Sequence, residues 1–355
     1  MKEKLKKSFA YYKENGFKET LVKIYRYISF RIKIKLAHNK NGVYRLSKKE
    51  EQIICRKTKT IHIFMNIPYY DIGGGQRGAQ LAKTFNKMGF KVNYIYLHDS
   101  SESQKHSVEL PLAMHQKLNR IDINKYKEQI TNRDIFIFEA PSKEFVPYLE
   151  LAKRKKCKVV YENIDNWETT LGSGFFDRKI VNRFLKKADL LVGTSVPLVD
   201  QLNQYLKEIK IKKNVQYLAN AVDSDLFDYR RKLDKPKDMV FNKKTLLYYG
   251  SLWGEWFDWD LLFSLAEDPD ITINLIGDYE EIRDIVAKSP QNVVFLGSKK
   301  QSDLPNYLKY CDYAIIPFKP DEIGRFVSPL KVFEYISMNK KVLCTTLEDV
   351  CSYPN

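Results

Sequence analysis

The stretch IHIFMNIPYYDIGGGQRGAQLAKTFNKMGFKVNYIYL, residues 61–97, determines the fold class of the chain. It contains an apolar run over 61–67, a glycine cluster at 73–75, an amphipathic segment over 76–88 and a second apolar run over 92–97. A short apolar run bounded by turn residues is typical of a buried strand, and the segment between the runs has the length of one helix. The stretch therefore predicts a β-α-β unit with parallel strands.

The same alternation continues along the chain in two series, which are separated by a polar linker at 230–244. Further strands are predicted at 134–140, 157–163, 189–195 and 215–222, then at 245–251, 271–277, 293–297, 313–318 and 341–346, with helices between them, for example at 258–266 and 304–310. This spacing predicts an α/β chain of two tandem doubly wound, Rossmann-like domains, placed at 59–231 and 232–355. Ligands are expected in the loops that follow the strands.

The composition excludes several classes of protein. The chain has 355 residues, 44% hydrophobic and 29% charged, which suits two domains and is too apolar for a disordered chain. No uncharged apolar run reaches about 18 residues, so no transmembrane helix is predicted, and the charged start of the chain is unlike a signal peptide. Five scattered cysteines and five histidines without metal-ligand spacing predict no disulfide framework and no metal site. A cytoplasmic protein is expected.

The positive charge is concentrated in the first 60 residues. They hold 18 lysines and arginines against 5 acidic residues, a net charge of +13, whereas the rest of the chain carries +3. Apolar residues recur there at helical spacing, at Phe17, Leu21, Ile24 and Ile28. This pattern predicts a basic amphipathic helical extension over 1–58, which contacts an anionic membrane surface through residues 1–36. A helix packed on the body is the alternative, and the near-neutral body argues against a nucleic-acid partner.

The glycine loop at 73–75 has two chemical interpretations besides a simple turn. Backbone amides of Gly74 and Gly75, at the start of a helix, are suited to bind a phosphate. Residues 73–78 also fit the spacing G-x-G-x-x-G, and Asp99 follows at about the offset of a ribose-binding acid, so a nicotinamide-dependent enzyme is an alternative. A P-loop is excluded because no Gly-Lys-Ser/Thr follows.

A second anion site is predicted in the segment SPLKVFEY of the second domain. Ser328 and Pro329 begin a helix there, since proline is tolerated at the first helical position. The amides of Leu330 and Lys331 are then available to a diphosphate. Glu334 lies one turn further on, where its carboxylate can accept hydrogen bonds from ribose hydroxyls. This pattern predicts a nucleotide-diphosphate site that needs no metal.

These motifs, in this order, resemble those of the GT-B glycosyltransferases, specifically glycosyltransferase family 4 (group 1). The resemblance runs from about residue 60 to the end of the chain. Besides the glycine loop it rests on YENIDNW at 161–167, Asn220-Ala221-Val222-Asp223 with Phe227, Tyr249-Gly250-Ser251 with EWFD at 255–258, and Ser328-Pro329-Leu330-Lys331 with Glu334-Tyr335. It implies a retaining, metal-independent sugar transfer from a nucleotide-diphosphate sugar, in which the leaving phosphate helps to deprotonate the acceptor.

The resemblance also implies roles for individual residues. Asp165, Glu334 and Arg325 are the catalytic candidates, with Asp165 orienting a hydroxyl group. Arg325, Lys319 or Lys331 could replace the Arg and Lys that usually neutralise the diphosphate in the family. The candidates for nucleotide-sugar binding are Gly74, Gly75, Gly250, Ser251, Ser328, Pro329, Leu330, Lys331 and Glu334. The chain departs from the family pattern at Phe326, which stands where a first Glu of Glu-x7-Glu is usual, and it lacks the usual Arg and Lys between residues 251 and 260.

Several of these side chains have a structural interpretation as well. Asp165 can be a loop or capping residue, and Asp258 is a candidate N-cap for the helix that follows it. Trp253, Trp256 and Trp259 can stack on a base or a sugar, whereas packing in the core is the alternative for Trp256 and for Trp259.

The sequence thus predicts a hexosyltransferase-type enzyme on the inner face of the cell membrane. It would extend a lipid-linked or polysaccharide acceptor in the synthesis of a cell-surface glycan, such as capsule or cell wall, with the nucleotide sugar as co-substrate and no cofactor. A non-catalytic GT-B-like scaffold subunit and a sugar-nucleotide epimerase of similar architecture are the alternatives. Because the sequence ends soon after the strand at 341–346, the second domain is expected to be truncated at its C-terminus.

Overall fold

The structure contains two parallel sheets, which belong to one compact unit. It is a computed structural model, and it describes residues 60–70, 75–99, 113–321 and 323–351. The predicted helical extension over 1–58 lies outside these residues, and so does Gly74. We call residues 60–217 the first lobe, 218–243 the connecting segment and 244–351 the second lobe.

The first lobe is built on a seven-stranded sheet in the order β3-β2-β1-β4-β5-β6-β7, with every neighbouring pair parallel. Its strands are β1 (Thr60–Met65), β2 (Lys91–Tyr96), β3 (Ala113–Lys117), β4 (Ile135–Phe138), β5 (Lys158–Asn163), β6 (Leu190–Gly193) and β7 (Val215–Tyr217). Its helices are α1 (Arg77–Lys87), α2 (Ile123–Gln129), α3 (Val146–Arg154), α4 (Arg178–Lys187) and α5 (Val196–Glu208).

The second lobe repeats this arrangement on five parallel strands in the order β10-β9-β8-β11-β12. The strands are β8 (Lys244–Tyr249), β9 (Ile271–Ile276), β10 (Val293–Phe295), β11 (Tyr313–Ile316) and β12 (Lys341–Cys344). The helices are α6 (Trp259–Leu265), α7 (Arg283–Lys288), α8 (Leu304–Tyr310), α9 (Leu330–Ser337) and α10 (Glu348–Cys351). The predicted α/β class with two doubly wound sheets is confirmed.

Burial explains why the strands have near-continuous apolar sequences. All six residues of β9 are buried, as are five of the six in β1 and β8. Strands of a parallel sheet are covered by helices on both faces, so neither face can be polar. In the first lobe, Phe64, Phe136 and Phe138 stack on one another across β1 and β4. The second lobe has a separate core, to which Phe227 and Met239 of the connecting segment contribute.

The strand order positions a ligand site in each lobe. In both sheets the order reverses beside the first strand of the lobe, between β1 and β4 and between β8 and β11. Ligands of open α/β sheets bind at such a point, outside the carboxyl ends of the strands. Residues 66–70 follow β1 at this point in the first lobe, and residues 317–321 follow β11 in the second.

The last described helix, α10, contacts the first lobe. The carboxylate of Asp349 accepts a hydrogen bond of 3.2 Å from the backbone N–H of Val196, the first residue of α5. Asp349 is completely buried, and a carboxylate at a helix N-terminus is favoured by the helix dipole. Among the helices that the structure describes, none has both the length and the apolar character needed to cross a membrane.

Candidate functional site

A cavity of about 430 Å³ lies where loops from the two sheets meet. This volume is in the range of pockets that bind small molecules. The first lobe contributes Ile67, Gly75, Gln76, Asp165 and Leu171, and the second lobe contributes Tyr248, Tyr249, Gly250, Ser251, Trp253, Trp256, Gln301, Leu304, Phe318, Val327, Pro329, Leu330, Lys331 and Glu334. We call this cavity the donor pocket.

Glu334 is the acidic residue that the second lobe presents to the donor pocket. It lies in α9, one turn after the helix begins, and is 9% exposed. Its Oε2 accepts a hydrogen bond of 2.6 Å from the hydroxyl of Tyr249, and its Oε1 lies 3.5 Å from Nε2 of Gln301. Burial raises the pKa of Glu334, while the hydrogen bond from Tyr249 and the charge of Lys331 oppose that rise. The carboxylate therefore has a fixed orientation at the pocket wall.

Lys331 supplies positive charge to the same wall. Its Nζ lies 5.1 Å from the ring centroid of Tyr248 and 4.9 Å from that of Phe318, distances at which aromatic faces attract a cation. Lys331 forms no ion pair with any other residue of the described chain. Burial lowers its pKa to about 8. An anion in the pocket would stabilise the protonated form.

The first turn of α9 adds unpaired amides to this charge. The helix begins at Leu330, and Pro329 is its N-cap rather than its first helical residue, a small correction to the expected start. The amides of Leu330 and Lys331 have no acceptor within the helix, as for the first turn of any α-helix. Together with the helix dipole and the Lys331 ammonium, these amides favour a bound anion such as a diphosphate.

Asp165 faces the pocket from the first lobe. It follows β5 by two residues and is partly exposed, and no hydrogen bond to its carboxylate is present among the described residues. Burial raises its pKa to about 7. A carboxylate with a pKa near neutrality can bind or release a proton at physiological pH. It lines the same cavity as Lys331 and Glu334 of α9, which suits a role at the reacting part of a ligand.

The structure brings most of the predicted binding residues together. Gly75, Gly250, Ser251, Pro329 and Leu330 all line the donor pocket. Ser328 is not among the lining residues, although its carbonyl oxygen accepts a hydrogen bond from Asn220 in the connecting segment. The structure gives the location of these residues, and their roles in binding a nucleotide sugar stay predictions.

Arg325 is the predicted catalytic residue that the structure does not bring to the pocket. Its Nε donates a hydrogen bond of 2.9 Å to Oε2 of Glu348, and its side chain is 58% exposed. It lies in a short helical turn before α9, and its guanidinium extends away from the pocket wall toward α10. In this arrangement Lys331 is the cation that the described lining residues provide.

The structure distinguishes the interpretations offered for the second-lobe tryptophans and for Asp258. Trp253, which is half exposed, and Trp256 both line the donor pocket, whereas Trp259 packs on Phe257 away from it. The carboxylate of Asp258 accepts a hydrogen bond of 3.0 Å from the amide of Leu261, so Asp258 is the N-cap of α6.

Three features of the site were not predicted from the sequence. Tyr249 and Gln301 contact Glu334, and Arg77 forms a buried ion pair with Glu162. Gln301 carries no sequence signal; it lies in a short 3-10 helix, Gln301–Asp303, between β10 and α8. The signal for Arg77 was its place at the start of the helix predicted after the glycine loop, because a charged residue that becomes buried there needs a partner.

Two observations on the described residues concern metal binding and the nicotinamide alternative. They contain no group of three or more His, Cys, Asp or Glu side chains that could hold a metal ion. Asp99, the candidate ribose-binding acid, forms an ion pair with Lys117 and does not line the donor pocket.

Comparisons with known proteins show the fold of the chain. No family model matches it. It is similar to the putative teichuronic acid biosynthesis glycosyltransferase TuaH of Bacillus subtilis (strain 168), with 24% identity over 206 residues. That match covers 54% of this chain and 51% of TuaH, so the chain spans about half the length of this curated relative.

Solved structures match over most of the chain. Anabaena Alr3699/HepE in complex with UDP and glucose has a TM-score of 0.57 and 14% identity, covering 84% of this chain and 83% of that one. An alpha-glucosyltransferase in complex with UDP has a TM-score of 0.58 and 14% identity, covering 81% and 80%. Sucrose-phosphate synthase from Thermosynechococcus elongatus has a TM-score of 0.56 and 13% identity, covering 81% and 82%. The expected GT-B type of fold is confirmed.

Proposed function

We propose that the protein is a glycosyltransferase that uses a nucleotide-diphosphate sugar as donor. The observation that carries the proposal is the placement of Glu334 one turn beyond the free amides of Leu330 and Lys331, on the wall of a pocket that also holds Asp165. The amides and the ammonium suit the diphosphate, and the carboxylate suits the ribose hydroxyls. A similar chain binds UDP and glucose, which supports UDP as the nucleotide.

The charges of the pocket suit the electrostatics of sugar transfer. As the bond from sugar C1 to the diphosphate breaks, negative charge grows on the leaving phosphate. The amides of Leu330 and Lys331 and the Lys331 ammonium stabilise that charge. Each donor of this kind typically lowers the barrier by about 2.7–4 kcal/mol. Asp165, on the opposite side of the pocket, orients a hydroxyl of the acceptor or of the donor sugar. The aromatic side chains of Trp253 and Trp256 offer a surface for a base or a sugar ring.

We further infer a retaining, metal-independent reaction that belongs to glycosyltransferase family 4 chemistry, transfers a hexose and needs no cofactor. Helix amides and Lys331 take the place of a divalent cation at the diphosphate. The anomeric proton coupling of the new glycosidic linkage, compared by NMR with that of the donor, tests retention. Activity that persists in excess EDTA tests metal independence, and activity restored only by added Mg²⁺ or Mn²⁺ would refute it.

The acceptor and location are inferred from the relative and from the sequence. TuaH is described as a teichuronic acid biosynthesis enzyme, and this supports a polysaccharide or lipid-linked acceptor in cell-surface glycan synthesis. The basic residues of segment 1–36 would hold the protein peripherally on the inner face of the membrane, where such an acceptor is assembled. No nucleic-acid partner is proposed.

Thermal-shift measurement with nucleoside diphosphates tests the donor site directly. UDP is expected to raise the Tm of the wild type, and Glu334→Ala is expected to lose most of that rise. Glu267→Ala removes an exposed carboxylate outside the pocket and is the matched control. If no nucleoside diphosphate stabilises the wild type, the donor site is refuted.

One observation favours a non-catalytic subunit as the second candidate. Among the described residues that line the donor pocket, Lys331 is the only cation, because Arg325 is engaged by Glu348. A scaffold of this kind would bind the nucleotide without turning it over. Release of UDP from a UDP-sugar in the presence of acceptor membranes distinguishes the enzyme from the scaffold.

A further inference from the structure

A chain of hydrogen bonds runs from β5 of the first lobe to the start of α9 in the second. Its first member is Glu162 of β5, which accepts 2.9 Å and 3.2 Å hydrogen bonds from Nε and Nη2 of Arg77. Arg77 is the first residue of α1 and is 7% exposed, and Glu162 is 4% exposed. A bidentate contact of this kind fixes the orientation of the guanidinium plane as well as the position of the charge.

The opposite side of the guanidinium contacts the connecting segment. Nη1 of Arg77 lies 3.1 Å from Oδ1 of Asn220 and 3.2 Å from the carbonyl oxygen of Ala219, and it donates to both. Nδ2 of Asn220 in turn donates a hydrogen bond of 2.7 Å to the carbonyl oxygen of Ser328. Ser328 stands two residues before Leu330, where α9 begins. The residue that leads into α9 is therefore bonded to the first lobe through Asn220 and Arg77.

Helix α1 contacts the same wall at a second point. Nζ of Lys83 donates a hydrogen bond of 2.8 Å to Oε1 of Gln301, whose Nε2 faces Glu334. Lys83 lies less than two turns after Arg77, so both contacts come from one rigid element. One helix of the first lobe thus holds both the beginning of α9 and the carboxylate one turn into it.

The buried ion pair is poorly explained as a source of stability alone. Removing two charged groups from water costs about as much as their attraction returns, so such pairs are weak stabilisers. Each lobe already has its own apolar core. Glu162 also lies only three residues before Asp165, at the carboxyl end of the same strand. The bonded chain therefore connects the two sides of the donor pocket.

We propose that Arg77 and Asn220 are positioning residues for sugar transfer, an inference that rests on the proposed function. They hold the beginning of α9, and the diphosphate bound there, at the separation from Asp165 that the reaction requires. Neither residue lines the donor pocket; both line a neighbouring cavity of about 230 Å³, which also includes Leu330. They therefore act through α9 and do not touch the donor.

Kinetics of Asn220→Ala and Arg77→Lys in the full chain test the proposal. Asn220→Ala removes the side-chain amide that donates to the carbonyl oxygen of Ser328. Arg77→Lys retains the positive charge but cannot form the two parallel hydrogen bonds to Glu162. Because a misplacement of about 1 Å can cost about 10²-fold in rate, kcat is expected to fall by about 10- to 100-fold. The Kd for UDP is expected to change less than about threefold, since the groups that bind it remain in the second lobe.

Tyr217→Phe is the matched control. It removes a hydroxyl that contacts Asp349 of the second lobe at 3.3 Å, and neither of these two residues lines the donor pocket. Its kcat is expected to remain within about twofold of the wild type. The kcat of each variant is measured at a temperature below its Tm. If all three variants lose stability but none loses kcat there, Arg77 and Asn220 are structural and the proposal is overturned.

Hydrogen exchange separates this inference from the proposed function. The backbone amides within 328–337 are expected to exchange faster in Asn220→Ala and Arg77→Lys than in the wild type. Their exchange rates in Tyr217→Phe are expected to equal those of the wild type. A wild type that transfers no sugar would refute the proposed function alone, and the exchange of this peptide would still decide whether the two residues hold α9. Exchange rates equal to the wild type would overturn the inference.

Discussion

The hydroxyl of Tyr249 donates a 2.6 Å hydrogen bond to the carboxylate of Glu334, and this contact joins the last residue of β8 to α9. Burial raises the pKa of Tyr249 far above its usual value, with the nearby Glu334 charge adding to the rise, so the phenol keeps its proton. Glu334 is therefore oriented before any ligand arrives. Because the carboxylate is already oriented, ligand binding has a smaller entropic cost for ordering this side chain.

Replacing Tyr249 with Phe tests that orientation. The loss of one hydrogen bond typically costs about 1 kcal/mol, which corresponds to about a fivefold rise in the Kd for UDP. We expect kcat to remain close to the wild-type value, because Glu334 holds the nucleotide and not the reacting atoms. Isothermal titration with UDP measures the change, with Tyr229→Phe, a half-exposed side chain outside the pocket, as control. An unchanged Kd would contradict the role of the contact.

The pH dependence of kcat/KM is expected to be bell-shaped, with limbs near pH 7 and pH 8. Burial raises the pKa of Asp165 to about 7, and if its ionised form is the active one, kcat/KM rises as the pH increases through that value. Burial lowers the pKa of Lys331 to about 8, and since the protonated form binds the diphosphate, kcat/KM falls above that value. The pH dependence of kcat/KM reports the pKa values of these groups in the free enzyme.

Two variants assign the limbs of that profile. The residual activity of Asp165→Asn should lack the acidic limb, and Lys331→Arg should lack the alkaline limb because the guanidinium keeps its charge. Initial rates between pH 5.5 and 9.5, in buffers of constant ionic strength, check both expectations. An acidic limb that persists in Asp165→Asn would mean that another group titrates there.

The parts of the molecule that depend on local pattern were predictable, and those that depend on long-range contacts were not. The apolar runs predict β1 and β8 because these strands are buried on both faces. The strand β3, AMHQK, is an edge strand with polar residues, so it lacks that pattern and was missed. The capping role of Asp258 followed from the sequence because a cap is local.

The candidate site shows the same division between local and distant contacts. The presence of a helix that begins close to Pro329, and the position of Glu334 one turn into it, follow from a single segment. The contact from Tyr249 joins residues 85 positions apart, and a single sequence carries no record of such pairing. Arg325 was expected in the site as a cation that neutralises the diphosphate, but Glu348, 23 residues further along the chain, binds it instead.

Gly250→Ala is expected to damage both stability and donor binding. Gly250 has a φ of +131°, a conformation that residues with a Cβ rarely adopt. Backbone strain of this kind costs about 1–3 kcal/mol. An added Cβ would also lie 3.3 Å from Nζ of Lys331 and 3.2 Å from the hydroxyl of Tyr248, closer than most such contacts. The Tm should fall, and the Kd for UDP should rise.

Gly174→Ala provides the control for that variant. Gly174 also has a positive φ, +90°, but within the described chain nothing lies within 4 Å of an added Cβ. It should therefore lower the Tm through backbone strain while leaving the Kd for UDP unchanged. Equal losses of UDP affinity in the two variants would show that the effect of Gly250→Ala does not come from Lys331.

Asp258→Ala should destabilise the second lobe without affecting the chemistry. Removing an N-cap side chain typically costs about 1 kcal/mol. Asp258→Asn retains an acceptor for the amide of Leu261 and is expected to lose little stability, and Asp260→Ala removes a neighbouring carboxylate from the same helix turn without removing the cap. Thermal unfolding and kcat of the three variants check this. A large loss of kcat in Asp258→Asn would assign Asp258 a role in the reaction.

Membrane contact by the basic N-terminal segment is expected to depend on charge. Each lysine or arginine near an anionic surface contributes about 1 kcal/mol to binding, so replacing four of them should release most of the protein. The variant carries glutamine at Lys18, Lys23, Arg26 and Arg31 in the full chain. Flotation with vesicles that contain phosphatidylserine or phosphatidylglycerol measures binding, and neutral vesicles should bind neither protein.

The control for that experiment removes the same charge from the described surface. Glutamine replaces four exposed lysines, at Lys207, Lys212, Lys237 and Lys288, so the net charge of the two variants is equal. If flotation depended on the total charge of the protein, both variants would lose it equally, and the segment would have no special role. Loss in the first variant alone is expected, because its four charges lie within 14 residues beside an apolar stripe and act on the surface together.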